Sequence, residues 1–180
     1  MTQFLKLPGD RRLEILGERN RRPIEDPAQL AADNLRSVLA FWEALRGDRL
    51  APTVAEYDLL ELAPFLPRCA IFEFIKGTEV IKVIFEGVTL SELYGNNHQK
   101  VVVDWTAEGP RAIAEILQFV IQSRCPVVSG PSLSSVPGKN HVASQAVFLP
   151  LSEDGNTITH VAAYTEFFTD REIESSTPRT

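Results

Sequence analysis

Three histidines, two cysteines and a few carboxylates are the side chains that chemistry would call on first in this 180-residue chain. His98, His141 and His160 never share a helical stretch, so no i, i+4 pair presents two imidazoles to one metal ion, and no metal site is expected. Cys69 and Cys125 stand far apart in apolar settings, without metal-ligand spacing or a sequence signal for thiolate activation. They read as two buried thiols. Ser129, Ser132, Ser134 and Ser135 crowd a Gly/Pro-rich stretch, but no G-x-S-x-G elbow or phosphate-cradling loop occurs there. That stretch reads as a strand connection. What remains is a general base, Glu86, His98 or Asp104, set in a concave pocket. This would make the chain a small cupped α+β enzyme. No acid and base stand at a telling spacing, so no catalytic residue is assigned and the enzyme is the alternative reading.

Such a cup would be built by the stretch from Cys69 to Gly95. Two apolar, β-rich runs flank Lys76-Gly77-Thr78, the pattern of a hairpin. In the second run Ile81, Val83 and Phe85 alternate with Val80, Lys82 and Ile84, giving one face more apolar than the other. Gly87 ends that strand, and Leu90, Leu93 and Tyr94 follow at helical spacing up to Gly95. A longer helix over 110–124 buries Ile113, Ile116, Leu117 and Val120, and Cys125-Pro126 stops it. The pocket is expected among Phe85, Leu90, Leu93, Tyr94, Ile116 and Val120, and would hold a small apolar ligand or the chain's own side chains.

Upstream, Asp26 as N-cap, Pro27 at the first position and Gly47 past the end predict a helix over 26–47. Its stripe of Ala31, Leu35, Val38, Trp42 and Leu45 steps by four and three. Such a stripe packs on the chain's own sheet or, as a two-helix seam through Leu35, Val38 and Trp42, joins two copies. Asp58 is expected to cap a short helical piece over Leu59–Leu62. Residues 1–25, with a basic cluster at Arg19, Arg21 and Arg22, read as a polar flexible leader, and 169–180 as a frayed polar tail. Strands are expected over 126–133, 141–151 and 157–168, the last two joined by the turn around Asp154-Gly155. The sum is an α+β domain over 48–168 with a five-stranded antiparallel sheet, helices on one face and the N-terminal helix free to cover the other.

Composition narrows the class of function. The chain carries a net charge of −6, which argues against a nucleic-acid binder, since phosphate contacts need a basic face. No apolar run approaches the roughly 20 residues that span a bilayer, and Asp10, Arg11 and Arg12 interrupt any signal-peptide core. A cytoplasmic, bacterial-type protein is expected.

The order of elements resembles a PAS domain, and in particular the short bacterial single-PAS proteins with a helix ahead of the domain. The matching pieces are Trp42 with Leu45-Arg46-Gly47, Arg49, Pro52, Asp58 and Leu66-Pro67, then Gly87, Leu90, Gly95, Leu149-Pro150-Leu151-Ser152 and Asp154-Gly155. Lys82-Val83-Ile84 departs from the family's arginine-aromatic-arginine pattern. Leu59 stands where a proline is common, and Lys100 where a glycine is. The resemblance implies a sensory or protein-interaction module in signalling that acts by association, with a homodimer and another signalling protein as partners and no catalytic residues. It also implies that haem is disfavoured, because the long helix lacks the axial histidine. Covalent flavin photochemistry is excluded, because the loop Tyr94-Gly95-Asn96-Asn97-His98 lacks the adduct cysteine. Non-covalent flavin stays open.

Overall fold

The computed structural model describes residues 2–17, 20–57, 61–102, 109–134, 138 and 141–176. Nine strands and three helices appear among them, in the order β1 (Thr2–Lys6), β2 (Arg12–Glu14), β3 (Arg21–Pro23), α1 (Asp33–Arg46), β4 (Cys69–Phe74), β5 (Ile81–Glu86), α2 (Val88–Tyr94), α3 (Gly109–Ser123), β6 (Val127–Leu133), β7 (Ala143–Ser152), β8 (Ile158–Phe168) and β9 (Ile173–Ser176). The main sheet is antiparallel in the order β3-β6-β7-β8-β4-β5. The five expected strands are there, and β3 adds a sixth at one edge. Its residues Arg21, Arg22 and Pro23 pair with Ser129, Val128 and Val127. Charge and proline on an edge strand discourage further pairing, so part of the basic cluster finishes the sheet. Arg19 lies outside the described residues.

The expected leader and tail are therefore corrected. β1 pairs with β2 on one side and with β9 on the other, Leu5 standing opposite Ile173. Leu5, Leu7 and Phe168 bury against Ala31 and Ala143 in a small separate core. A few apolar residues in otherwise polar segments thus suffice to dock both ends on the domain. The ion pairs Lys6–Glu174 (3.4 Å) and Arg12–Glu174 (3.3 Å) lie on this small sheet.

Both faces of the main sheet are covered, which is what lets its strands read as nearly continuous apolar runs. On one face α2 and α3 bury Leu90, Ile116, Leu117 and Val120 against Phe72, Val83, Phe148 and Val161. On the other, α1 buries Leu35, Val38, Leu39 and Trp42 against Ile71, Val147, Leu149 and Leu151. Gly87 sits where strand turns to helix and the 66–67 segment crosses it. A Cβ there would lie 2.0 Å from the Leu66 carbonyl oxygen and 2.5 Å from the Pro67 carbonyl carbon. Only glycine permits that approach.

The expected start of α1 is also corrected. Asp26 does cap a turn: its carboxylate accepts from the Ala28 N–H at 2.7 Å, while Gln29 Oε1 accepts from the Asp26 N–H at 3.0 Å. That turn is a single 3₁₀ turn over Pro27–Gln29. The buried Gln145 on β7 accepts the Ala31 N–H at 2.6 Å and donates to the Gln29 carbonyl at 2.9 Å. The sheet thus takes hydrogen bonds that a continuous helix would have used. The helix proper starts at Asp33 and ends, as expected, at Gly47, whose φ of +55° suits a glycine cap. Asp58 and Leu59 lie outside the described residues.

Candidate functional site

The cup is tested first by the alternation of β5. Ile81 and Val83 face α2 and α3, in register with Phe74 and Phe72 of β4. Between Val83 and Phe85 the pairing slips by one residue, because Ile71 stands opposite Phe85 while Phe72 stands opposite Val83. This bulge at Ile84 resets the two-residue period, and Phe85 packs with the α1 face instead. Phe85 is thus not a cup residue. Leu90, Ile116 and Val120 do converge, at 6%, 5% and 0% exposure. Leu93 is half-buried, and Tyr94 is exposed at the end of α2.

The proposed general bases do not converge there. Glu86 accepts from the Ser91 hydroxyl (3.0 Å), the Asn97 N–H (2.8 Å) and the Asn97 side-chain amide (3.2 Å). Its carboxylate ties α2 to the loop that follows. His98 is exposed and contacts Gln99. Asp104 lies outside the described residues. His160 is buried in β8 opposite Glu73 and beside Thr159, whose hydroxyl lies 3.0 Å from Nδ1. Burial lowers its pKa, against the opposing pull of Glu73 and Glu153. Among the described residues no three histidines, cysteines or acids stand together as metal ligands. Cys69 is buried, and burial pushes its thiol up to about 12. Cys125 is only partly buried, a correction to the expected pair of buried thiols.

The polar groups that are concentrated and buried lie on the other face, under α1. Glu166 is 6% exposed. One carboxylate oxygen accepts from the Tyr164 hydroxyl at 2.6 Å and from the Asn34 amide at 2.7 Å, and the other pairs with the Arg68 guanidinium. A helix, a 3₁₀ turn and a strand thus meet at one carboxylate. Burial, and then the bond to Glu166, push the Tyr164 phenol upward. A few residues along α1, the Trp42 indole donates to the Pro150 carbonyl at 2.7 Å. Leu35, Val38 and Trp42, expected as a dimer seam, are 0%, 1% and 2% exposed inside the chain's own core. They offer a partner no surface, so the seam is corrected to an internal contact.

Sequence reasoning missed Asn34, Arg68, Gln145 and Glu166, although a signal for two of them was present. Period two places Glu166 on the same face as Ala162 and Tyr164, and Gln145 on the same face as Val147 and Leu149. A polar residue on an apolar face announces a buried hydrogen bond. Nothing local marks Asn34 or Arg68, whose roles come from partners 132 and 98 residues away.

With the antiparallel sheet, its helices and the apolar cup face in view, a comparison with known families is decisive: the family described as PAS domain matches residues 30–164. The chain belongs to the PAS domain family. This makes it a sensory module of the signalling class. No curated protein matches it. Among solved structures it is similar to a sensory box sensor histidine kinase from Vibrio cholerae, with 21% identity, a TM-score of 0.36, and coverage of 61% of this chain and 91% of that one.

The pieces that carried the resemblance have structural work in this PAS domain. The Arg49 side chain donates to the Leu45 carbonyl at 2.6 Å and the Arg46 carbonyl at 3.2 Å, closing the end of α1. The same guanidinium pairs with Glu56 at 2.7 Å, and with Thr53 it holds that carboxyl down at about 2. The N–H of Leu50 reaches the Gly155 carbonyl at 3.2 Å, and Gly155 has φ +83° with Arg49 packed over it. The matched pieces around residues 45–52 and 152–155 are thus a clamp between α1 and the β7–β8 turn.

Proposed function

We propose that this PAS domain signals by association, with a second copy of itself or with another signalling protein, and that α1 is the element whose position carries the signal. What supports this reading is the double coverage of one sheet. Apolar side chains of α2 and α3 occupy the cup face, and α1 is fixed to the opposite face through Trp42, Asn34 and Gln145-bound residues. A shift in packing on one side has only a single layer of strands to cross before it reaches α1. Close-packed interiors transmit such shifts because they deform little.

Light scattering and native mass spectrometry from low to high micromolar concentration test the reading. Reversible self-association, or a stoichiometric complex with a signalling partner, is the expected result. The reading fails if the chain stays monomeric and unpartnered while a measured turnover is abolished by Glu86→Gln or His98→Ala with the fold intact. That outcome would place chemistry at the end of α2 and the loop that follows it.

A further inference from the structure

The face of α1 that is turned toward the start of β6 leaves a cleft of about 270 Å³. Leu39, Trp42 and Arg46 wall it on the helix side, and Ile24, Arg124 and Pro126 on the other. A second cleft of about 200 Å³ adjoins it, with Leu50 and Arg124 common to both and Ile121 and Ile158 beyond. The two clefts share Arg124, and Arg46 also lines the first, so apolar and charged side chains alternate along them.

Three observations point to an anion here. First, neither Arg46 nor Arg124 is ion-paired among the described residues, although the chain as a whole is acidic and six other cations are paired. Second, Arg46 lies over the Trp42 ring at 5.4 Å and, among the described residues, donates once, to the Arg49 carbonyl at 3.1 Å, and keeps a buried Nε without an acceptor. A buried donor without a partner calls for an explanation, and a guanidinium held by so little is cheaply re-aimed. Third, Arg124 occupies the residue after α3 at φ +54°, a left-handed conformation that suits glycine. Its N–H closes the helix on the Val120 carbonyl at 2.9 Å, which glycine would do equally well, and among the described residues its guanidinium reaches only the Asn156 carbonyl at 3.4 Å. Glu43, the carboxylate on the cleft wall, is itself exposed and not ion-paired among the described residues.

We infer that this groove binds a small amphipathic carboxylate, its apolar body against the partly exposed Ile24, Leu50 and Pro126 and its carboxylate between Arg46 and Arg124. The site lies outside the cup, and it touches α1 directly. Planar guanidinium forks match a carboxylate, and the modest volume restricts the ligand to a body of roughly one ring or a short chain.

Calorimetric titration of the full chain with 3-phenylpropionate tests the inference, with 3-phenylpropylamine and acetate as controls. Saturable binding of 3-phenylpropionate alone is expected. Arg124→Gly should weaken it by roughly tenfold or more, because hydrogen bonds to a charged group are lost. The same variant relieves the left-handed strain, so its melting temperature should hold or rise, which separates binding from folding. Arg46→Gln should weaken binding similarly, and Glu43→Gln should tighten it several-fold by removing a competing anion. Equal binding of the amine or of acetate, unchanged binding by Arg124→Gly, or no saturation with 3-phenylpropionate overturns the proposal. None of these outcomes bears on whether the chain associates.

Discussion

Asn34, in the first turn of α1, donates its side-chain amide to Glu166 near the end of β8 at 2.7 Å. The same carboxylate holds Tyr164 and Arg68, so the docking of α1 and the position of the 66–68 turn depend on one acid. Glu166→Gln keeps the shape and removes the charge. It should destabilise by about 1–3 kcal/mol, the loss of charge-assisted bonds to a partly exposed arginine. Asn34→Ala alone should cost about 1 kcal/mol. The two effects share a carboxylate and should not add, which a double-mutant cycle by urea unfolding measures directly. Strict additivity would show that Asn34 and Glu166 are not coupled.

The α1 stripe offers a second measurement. Trp42→Ala should cost about 3–5 kcal/mol, from the cavity and from a Pro150 carbonyl left without its donor. Leu35→Glu with Val38→Glu would give folded monomers if these residues formed a seam between subunits. Because both are buried between α1 and the sheet of a single chain, the double variant should instead lose its cooperative melt. A folded, cooperative double variant would contradict that packing.

Gly87→Ala is expected to be among the costliest small substitutions. Its methyl would meet backbone atoms of Leu66 and Pro67, which cannot rotate away as a side-chain tip can. A loss of about 3 kcal/mol or more, read from thermal melts, follows from forced backbone movement in a packed core. Gly77→Ala is a useful control, since open space surrounds Gly77, although its φ of +77° still strains alanine.

Alkaline stability should fall for a reason visible in the fold. Burial raises the pKa of Tyr57, Cys69 and Tyr164, with Cys69 at about 12. Unfolded, a thiol and a phenol ionise near about 8.5 and 10. The unfolded chain therefore releases these protons first and binds fewer of them than the native state. Their contribution is fully present below about pH 8.5 and is lost progressively as pH rises toward the folded values. Urea midpoints between neutral pH and about pH 11 should decline accordingly. The Tyr57 hydroxyl is buried with no partner among the described residues. Tyr57→Phe should thus stabilise by about 1 kcal/mol at neutral pH and flatten the alkaline decline.

Much of the fold was legible because its signals are local. Lys76-Gly77-Thr78 marks the hairpin, Gly87 the strand-to-helix break, and Gly47 the end of α1. Elements became illegible where distant partners override local chemistry. Asp26 caps a turn as its residue type predicts, yet Gln145, more than 100 residues away, ends that turn after Gln29. Alternation along β5 misplaces Phe85 because a bulge at Ile84 leaves no mark in residue type. The pairing of β1 with β9 joins two polar segments at opposite ends of the chain, and neither is apolar enough to announce a strand. The groove on α1 was hidden for a similar reason, since Arg46 and Arg124 are 78 positions apart and meet only through the fold.

The pairing of β1 with β9 also decides how the molecule carries tension. Thr2 stands opposite Ser176 and Leu5 opposite Ile173, so the two outer ends leave the ladder on the same side. A pull applied to those ends loads the hydrogen-bonded pairs one after another, as in opening a zip, rather than all at once in shear. Leu5 and Ile173, the innermost pair, yield last, and until they do no load reaches the main sheet. The small terminal sheet is a mechanical fuse in series with the PAS core.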